Sequence, residues 1–242
     1  MEDKKPGLVV GKLYLIPTTL GDSAPLEVLP ISIKRAIESI NHYVAENEKT
    51  ARRFIKRVSA NKSQPDLHFE HLNKFTDPTE IATYLNPCIH GFDVGLLSEA
   101  GCPGIADPGA DVIRLAHEKK IQVVPLVGPS SILLAMMSSG MNGQSFAFNG
   151  YLPIDAQERR TMIKKLEKLS KDTGQSQIFM ETPYRNDKLI VELKKNLQPY
   201  TRLCIATDIT LQNEFIATKS VYEWREMDVD LHKRPTIFIV QA

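Results

Sequence analysis

Short apolar runs alternate with longer amphipathic stretches along almost the whole chain, and this rhythm restricts the fold more than any single residue does. Leu13-Tyr14-Leu15-Ile16 has the length and apolarity of a buried strand, and Pro17 stops it. Ile33, Ile37 and Ile40 recur on one face of a helix over 31–40. Tyr43-Val44-Ala45 predicts a brief strand, residues 49–58 a strongly basic helix, 67–72 an extended segment, 78–89 a helix and 93–98 another strand. A loop rich in glycine and proline covers 100–109, followed by a helix over 110–119 and a strand over 121–126. Parallel neighbours need a crossover long enough to hold a helix, so the rhythm implies a largely parallel sheet with helices packed on it.

The second half changes character. A helix over 130–139 ends at Gly140, a strand covers 146–148, a long charged helix 156–171, a strand 178–180 and a helix 186–195. Three late strands, 203–206, 215–217 and 236–240, follow without long helices between them, which predicts antiparallel pairing. The expected fold class is therefore α/β with two domains. Residues 1–124 form the first, largely parallel, and 125–242 the second, with a mixed sheet.

Composition removes several function classes. With 42% hydrophobic and 24% charged residues the chain is neither disordered nor collagen-like. Its 30 basic residues nearly cancel 29 acidic ones, so any contact with RNA must be local. Cys88, Cys102 and Cys204 form no CxxC pair, and the six histidines show no ligand spacing, so neither a disulfide framework nor a metal is expected. The charged start, Met1 to Pro6, and the brief Leu8-Val9-Val10 do not form a signal peptide. The run from Ile132 to Met137 is far too short to span a membrane. A soluble, cytoplasmic protein is expected.

Parallel sheets bind ligands at the carboxyl ends of their strands, which directs attention to three loops. Pro17-Thr18-Thr19-Leu20-Gly21-Asp22 has one glycine where a dinucleotide fold would have a cluster; Gly21-Asp22 reads as a turn. In the second loop, Ser98 to Gly109, small residues at 100, 101 and 104 let the backbone approach a ligand. Asp107-Pro108 there fits a helix start, with Asp107 as the cap. The third, Val124 to Ser131, enters a helix either through a plain serine cap or through N–H groups that hold an anion.

Five segments occur in order. They are Leu13 to Thr18; Ser98-Glu99-Ala100-Gly101-Cys102-Pro103 with Ala106 to Gly109; Pro125 to Ser131; Gly150-Tyr151-Leu152-Pro153; and Glu181-Thr182-Pro183-Tyr184-Arg185. Together they resemble the tetrapyrrole methylase family, and the last two resemble its branch that methylates small-subunit ribosomal RNA at a cytidine ribose 2′-oxygen. The resemblance implies two α/β domains, S-adenosylmethionine as cofactor in a cleft between them, and a homodimer. By matching positions it implies cofactor contacts from Leu20, Ala100, Gly101, Cys102, Ile105, Ser130, Ser131, Met180, Glu181, Ile209, Pro235 and Thr236. Glu46 to Lys49, Phe69 to Asn73 and Ala206 to Thr210 depart from the motifs of the RNA branch, which implies a shifted specificity.

Methyl transfer from a sulfonium is an in-line displacement, and a ribose hydroxyl needs help losing its proton. Glu46, Asp107, Glu181 and Asp208 are candidate bases, and the sequence does not rank them, so the catalytic residue is unknown at this stage. For the substrate, Lys49, Arg52, Arg53, Lys56 and Arg57 recur at three- and four-residue spacing and share one helix face suited to phosphates. Arg185 is a second anion-binding candidate. Methylation of a carboxylated tetrapyrrole, or cofactor binding without catalysis, stand as the alternatives.

Overall fold

The computed structural model describes residues 10–242, which divide into two compact units, 10–129 and 130–242. The charged start at Met1–Pro6, with Leu8 and Val9, lies outside the described residues. Unit 1 contains β1 (Leu13–Ile16), α1 (Pro25–Val28), α2 (Ile31–Ser39), β2 (His42–Ala45), α3 (Glu48–Val58), β3 (His68–His71), α4 (Pro78–Ile81), α5 (Asn86–Ile89), β4 (Val94–Leu97), α6 (Ala110–Glu118) and β5 (Val123–Pro125). Unit 2 contains α7 (Ser131–Ser139), β6 (Phe146–Tyr151), α8 (Ala156–Thr173), β7 (Ser176–Met180), a 3-10 turn at Pro183–Arg185, α9 (Asn186–Asn196), β8 (Arg202–Thr207), β9 (Phe215–Ser220), α10 (Val221–Arg225) and β10 (Thr236–Gln241).

The sheet of unit 1 has the order β3-β2-β4-β1-β5 and is parallel throughout. Side chains alternate across it with the strand period of two. Ile16, Tyr43, Ala45 and Leu97 pack with α2 and α3, whereas Leu13, Val44, Val94 and Leu96 pack with Leu85, Cys88 and α6. Both faces are therefore covered, and central β4 reads as an uninterrupted buried run. The chain leaves β1 for β2 across the α2 face and leaves β4 for β5 through α6 on the other. Such opposed exits open a crevice at the carboxyl ends of β1 and β4.

The expected helix over 78–89 is instead two single turns, α4 and α5, joined by i to i−3 bonds such as Thr83 N to Glu80 O and Tyr84 N to Ile81 O. Pro87 fits a fresh start here. It has no N–H to continue an α-helical ladder to the Thr83 carbonyl, which accepts from Asn86 N at 2.9 Å instead, and it sits in the first turn of α5, where its missing N–H is not needed.

Unit 2 has the order β6-β7-β10-β8-β9; β6 and β7 are parallel and the other pairs antiparallel, as the clustered late strands predict. Its core stacks Phe179 on Phe238 and fully buries Trp224, whose Nε1–H donates to Leu203 O at 2.8 Å. The short α10 was not expected from apolar periodicity, yet its signal is in the sequence. Ser220 and Glu223 form a reciprocal capping box.

Candidate functional site

In unit 1 the crevice is assembled by the loop that leaves β4. Thr18 N–H donates to Gly101 O at 2.9 Å, making an isolated antiparallel bridge, and Ser98 Oγ donates to the same carbonyl at 2.7 Å. These bonds bring Leu20, Gly101 and Cys102 together with the third loop. A Cβ built on Gly101 would lie 3.2 Å from Leu20 Cδ2 and 3.3 Å from Pro129 O, and Cys102 Sγ lies 3.4 Å from that same oxygen. Gly101 has φ +73° and Gly104 φ +79°, where a Cβ would meet Ile113 Cδ1 at 2.7 Å. Both glycines are thus required by the protein's own backbone and packing, before any ligand approaches. Ala100 and Ile105 differ from them in being exposed.

Asp107 does not cap α6. That helix starts at Ala110 with Gly109 in the cap position, while Asp107 Oδ1 accepts N–H bonds from Gly104 at 2.7 Å and Gly109 at 2.9 Å. The helix begins later than Pro108 suggests, and the carboxylate braces the loop instead. Burial raises the Asp107 pKa, opposed by the two N–H bonds. Glu46, at the end of β2, is also raised, first by burial and then by the negative charges of Asp107 and Glu99.

The basic helix α3 is placed by its Asn47 cap, whose Oδ1 accepts from Lys49 N and Thr50 N. Its stripe divides in two. Arg53 and Arg57 line an open hollow of about 570 Å³ with Thr19, Leu20, Gly21, Asp22 and Glu99. Arg57 is held there by Asp22 at 2.9 Å and Ser23 O at 2.7 Å. Lys49 and Lys56 are exposed. Arg52 turns the other way. It donates to Glu48 at 2.7 Å, Gln64 O at 2.6 Å and Leu67 O at 3.2 Å, and its guanidinium lies 4.8 Å from the Phe69 ring centre. The expectation of one shared face fails at Arg52, because the loop before β3 supplies carbonyls that helical spacing cannot reveal.

In unit 2 the expected positions gather at one sheet edge. Met180 ends β7, Thr207 ends β8, and Pro235-Thr236 open β10, with Ile237 paired to Met180 and Thr236 to Thr207. Pro235 O accepts from Asp208 N at 2.9 Å, and Thr236 Oγ1 bonds Thr207 Oγ1 at 2.9 Å. Ile209 is buried between two residues of positive φ, Asp208 (+51°) and Thr210 (+70°). A β-branched residue in that region is strained. Thr210 Oγ1 is also buried without a hydrogen-bond partner among the described residues. Ser130 caps α7, its Oγ accepting from Leu133 N at 3.4 Å, and Ser131 is the first helical residue. The far end of α7 is bonded by Thr218 Oγ1 at Ser139 O and by Arg202 at Gly140 O, so its N-terminus points toward the Thr207 edge.

Two of the four candidate bases are engaged elsewhere. Glu181 is buried, and its Oε1 accepts from Thr182 N at 2.7 Å and from Arg185 at 2.6 Å. Arg185 is therefore partly committed to that carboxylate. Asp208 accepts from Arg234 at 2.6 Å. Among the described residues no group of His, Cys, Asp and Glu is arranged to hold a metal ion, and no helix is long and apolar enough to cross a membrane.

No protein-family model matches the chain. It is 26% identical over 235 residues to ribosomal RNA small subunit methyltransferase I of Escherichia coli O157:H7, covering 96% of this chain and 78% of that protein. The protein of the same name from Hydrogenobaculum sp. (strain Y04AAS1) is 29% identical over 203 residues, covering 84% and 83%. Among solved structures, the methyltransferase CobJ matches with a TM-score of 0.63 at 14% identity, covering 96% of this chain and 94% of that one. Cobalt precorrin-4 methyltransferase CbiF matches with 0.61 at 14%, covering 95% and 94%. Uroporphyrin-III C-methyltransferase from Thermus thermophilus, complexed with S-adenosyl homocysteine, matches with 0.55 at 16%, covering 96% and 97%. The resemblance read from the motifs thus extends to the fold, which is that of the tetrapyrrole methylases.

Proposed function

We propose that this chain, a tetrapyrrole methylase by fold and similar over most of its length to enzymes of small-subunit ribosomal RNA, is an S-adenosylmethionine-dependent methyltransferase acting on a cytidine ribose 2′-oxygen of that RNA. The observation that carries the reading is the conjunction of this similarity with the crevice of unit 1, where hydroxyls, Glu99 and two arginines converge at the ends of β1 and β4. The residues present fit the cofactor. Within unit 1 the exposed Ala100 and Ile105 offer a small and an aliphatic contact; within unit 2, taken by itself, the Thr210 hydroxyl, without a partner among the described residues, flanks Ile209. When bound, S-adenosylmethionine supplies the activated methyl group.

The chain's own contribution is placement and charge. The bridge between Thr18 and Gly101 ties the first two loops together, and loops held in this way serve to align a nucleophile, which accounts for much of such an acceleration. Arg53 supplies positive charge for phosphates flanking the target nucleotide, beside an Arg57 whose charge is partly balanced by Asp22. Of the four candidate bases, Glu46 is the one left without a committed partner among the described residues and is the carboxylate proposed to receive the proton, since Asp107 is held by the Gly104 and Gly109 N–H groups. The proposal extends to a homodimer and to a cytoplasmic location, where an RNA substrate of this class is met.

Calorimetry with S-adenosylhomocysteine tests the cofactor, and mapping of ribosomal RNA modification in a deletion strain tests the acceptor. Micromolar binding and loss of one ribose methylation are expected. No binding at high ligand concentration refutes the first part; an unchanged RNA map refutes the second.

A further inference from the structure

Two exposed aromatic rings follow the carboxyl ends of strands in the two units, Phe75 after β3 and Tyr184 after β7, each with a lysine over its face. Tyr184 is 73% exposed and Phe75 83% exposed. Lys233 Nζ lies 5.9 Å from the Tyr184 ring centre, and Lys74 Nζ lies 4.9 Å from that of Phe75. The third such pair among the described residues, Arg52 with Phe69, is half-buried and structural. The two exposed rings ride on built backbone. Around Tyr184, Lys233 N–H donates to Pro183 O at 3.1 Å, Lys233 holds φ +58°, and Arg185 Nε–H donates to Thr182 Oγ1. Around Phe75, its N–H donates to Asn73 Oδ1 at 2.8 Å and Thr76 N–H to Asn73 O at 3.0 Å, immediately after β3. Fixed backbone leaves little entropy to lose when a flat ligand settles on the ring.

We infer that Tyr184 and Phe75 are stacking platforms for unpaired bases of an RNA strand, with Lys233 and Lys74 meeting the adjoining phosphates. The inference rests on the RNA reading above. A π-face accepts any base, and a lysine on one side leaves the other side open to it.

The test uses a single-stranded oligoribonucleotide carrying 2-aminopurine, whose fluorescence falls on stacking. Tyr184→Ala and Phe75→Ala should each weaken binding about 5- to 150-fold, the equivalent of ~1–3 kcal/mol per stacked base. The salt slope should stay unchanged, because no phosphate contact is removed. Tyr184→Phe and Phe75→Tyr should bind as the wild type does. Both rings are exposed, so unfolding midpoints and S-adenosylhomocysteine affinity stay at wild-type values. Wild-type RNA binding retained by both alanine variants overturns the platforms alone. Wild-type protein that binds no RNA, or that binds a carboxylated tetrapyrrole through these same rings, overturns the RNA reading and the platforms with it.

Discussion

Replacing Gly101 by alanine separates what the protein demands from what the ligand demands. At φ +73° an L-residue costs roughly 1–2 kcal/mol in backbone conformation. The added Cβ must also push Leu20 Cδ2 and Pro129 O back by a few tenths of an ångström from 3.2 and 3.3 Å. Leu20 can yield by changing rotamer at a cost of about 0.5–1.5 kcal/mol, whereas a carbonyl fixed by Pro129 yields less easily. The expected loss is therefore about 1.5–3 kcal/mol. Two controls isolate its parts. Gly150 has φ +65° with nothing within 4 Å of its Cβ position, so Gly150→Ala should cost only the backbone share, about 1–2 kcal/mol. Gly143 has open space and no positive φ, so Gly143→Ala should be neutral or stabilising by up to about 1 kcal/mol. Urea unfolding followed by circular dichroism reads all three, and calorimetry with S-adenosylhomocysteine reads their ligand affinity. Only Gly101→Ala should also weaken the ligand, because it moves Leu20 and the loop bridged to Thr18. If Gly101→Ala loses no more stability than Gly150→Ala, the crowding argument fails; if its ligand affinity is that of the wild type, the loop is not part of the cofactor site.

Arg52→Ala should lower stability by about 1–3 kcal/mol, since it leaves the Gln64 and Leu67 carbonyls and Glu48 without their donor, and should leave the salt slope of RNA binding unchanged. Arg53→Ala should do the reverse, holding stability within about 0.5 kcal/mol while the slope falls by about 0.7 for a single strand; equal slopes in the two variants would refute the division of the stripe. Glu46→Gln should stabilise unit 1 at pH 7. The folded pKa of Glu46 lies above its ordinary 4.5, so the native state holds its proton more tightly and stability falls as pH rises from about 4.5 through the folded value. The gain should therefore be present at pH 7 and absent at pH 4, and a urea midpoint shift equal at both would contradict the burial and repulsion assigned to this carboxyl.

Local pattern was enough for the architecture. The apolar runs at 13–16, 43–45 and 93–98 separated by helical stretches require a parallel sheet, and strands at 203–206, 215–217 and 236–240 without intervening helices require antiparallel pairing. Motif order likewise carried the family resemblance and the loops that hold Leu20, Gly101 and Cys102. These are readable because periodicity and turn chemistry depend on neighbours in the chain. What only the tertiary structure decided is which partner each polar group finds. Arg52 and Arg53 are adjacent in sequence and identical in chemistry, yet one is consumed by carbonyls 12 and 15 residues away and the other faces the hollow. Asp107 reads as a helix cap, but Gly104 and Gly109 fold back to claim its oxygen. Glu181 and Asp208 stand unranked among the candidate bases in the sequence, and only the fold shows Arg185 and Arg234 paired with them. Hydrogen bonds and ion pairs act over about 3 Å in space, and separation along the chain says little about which groups come that close.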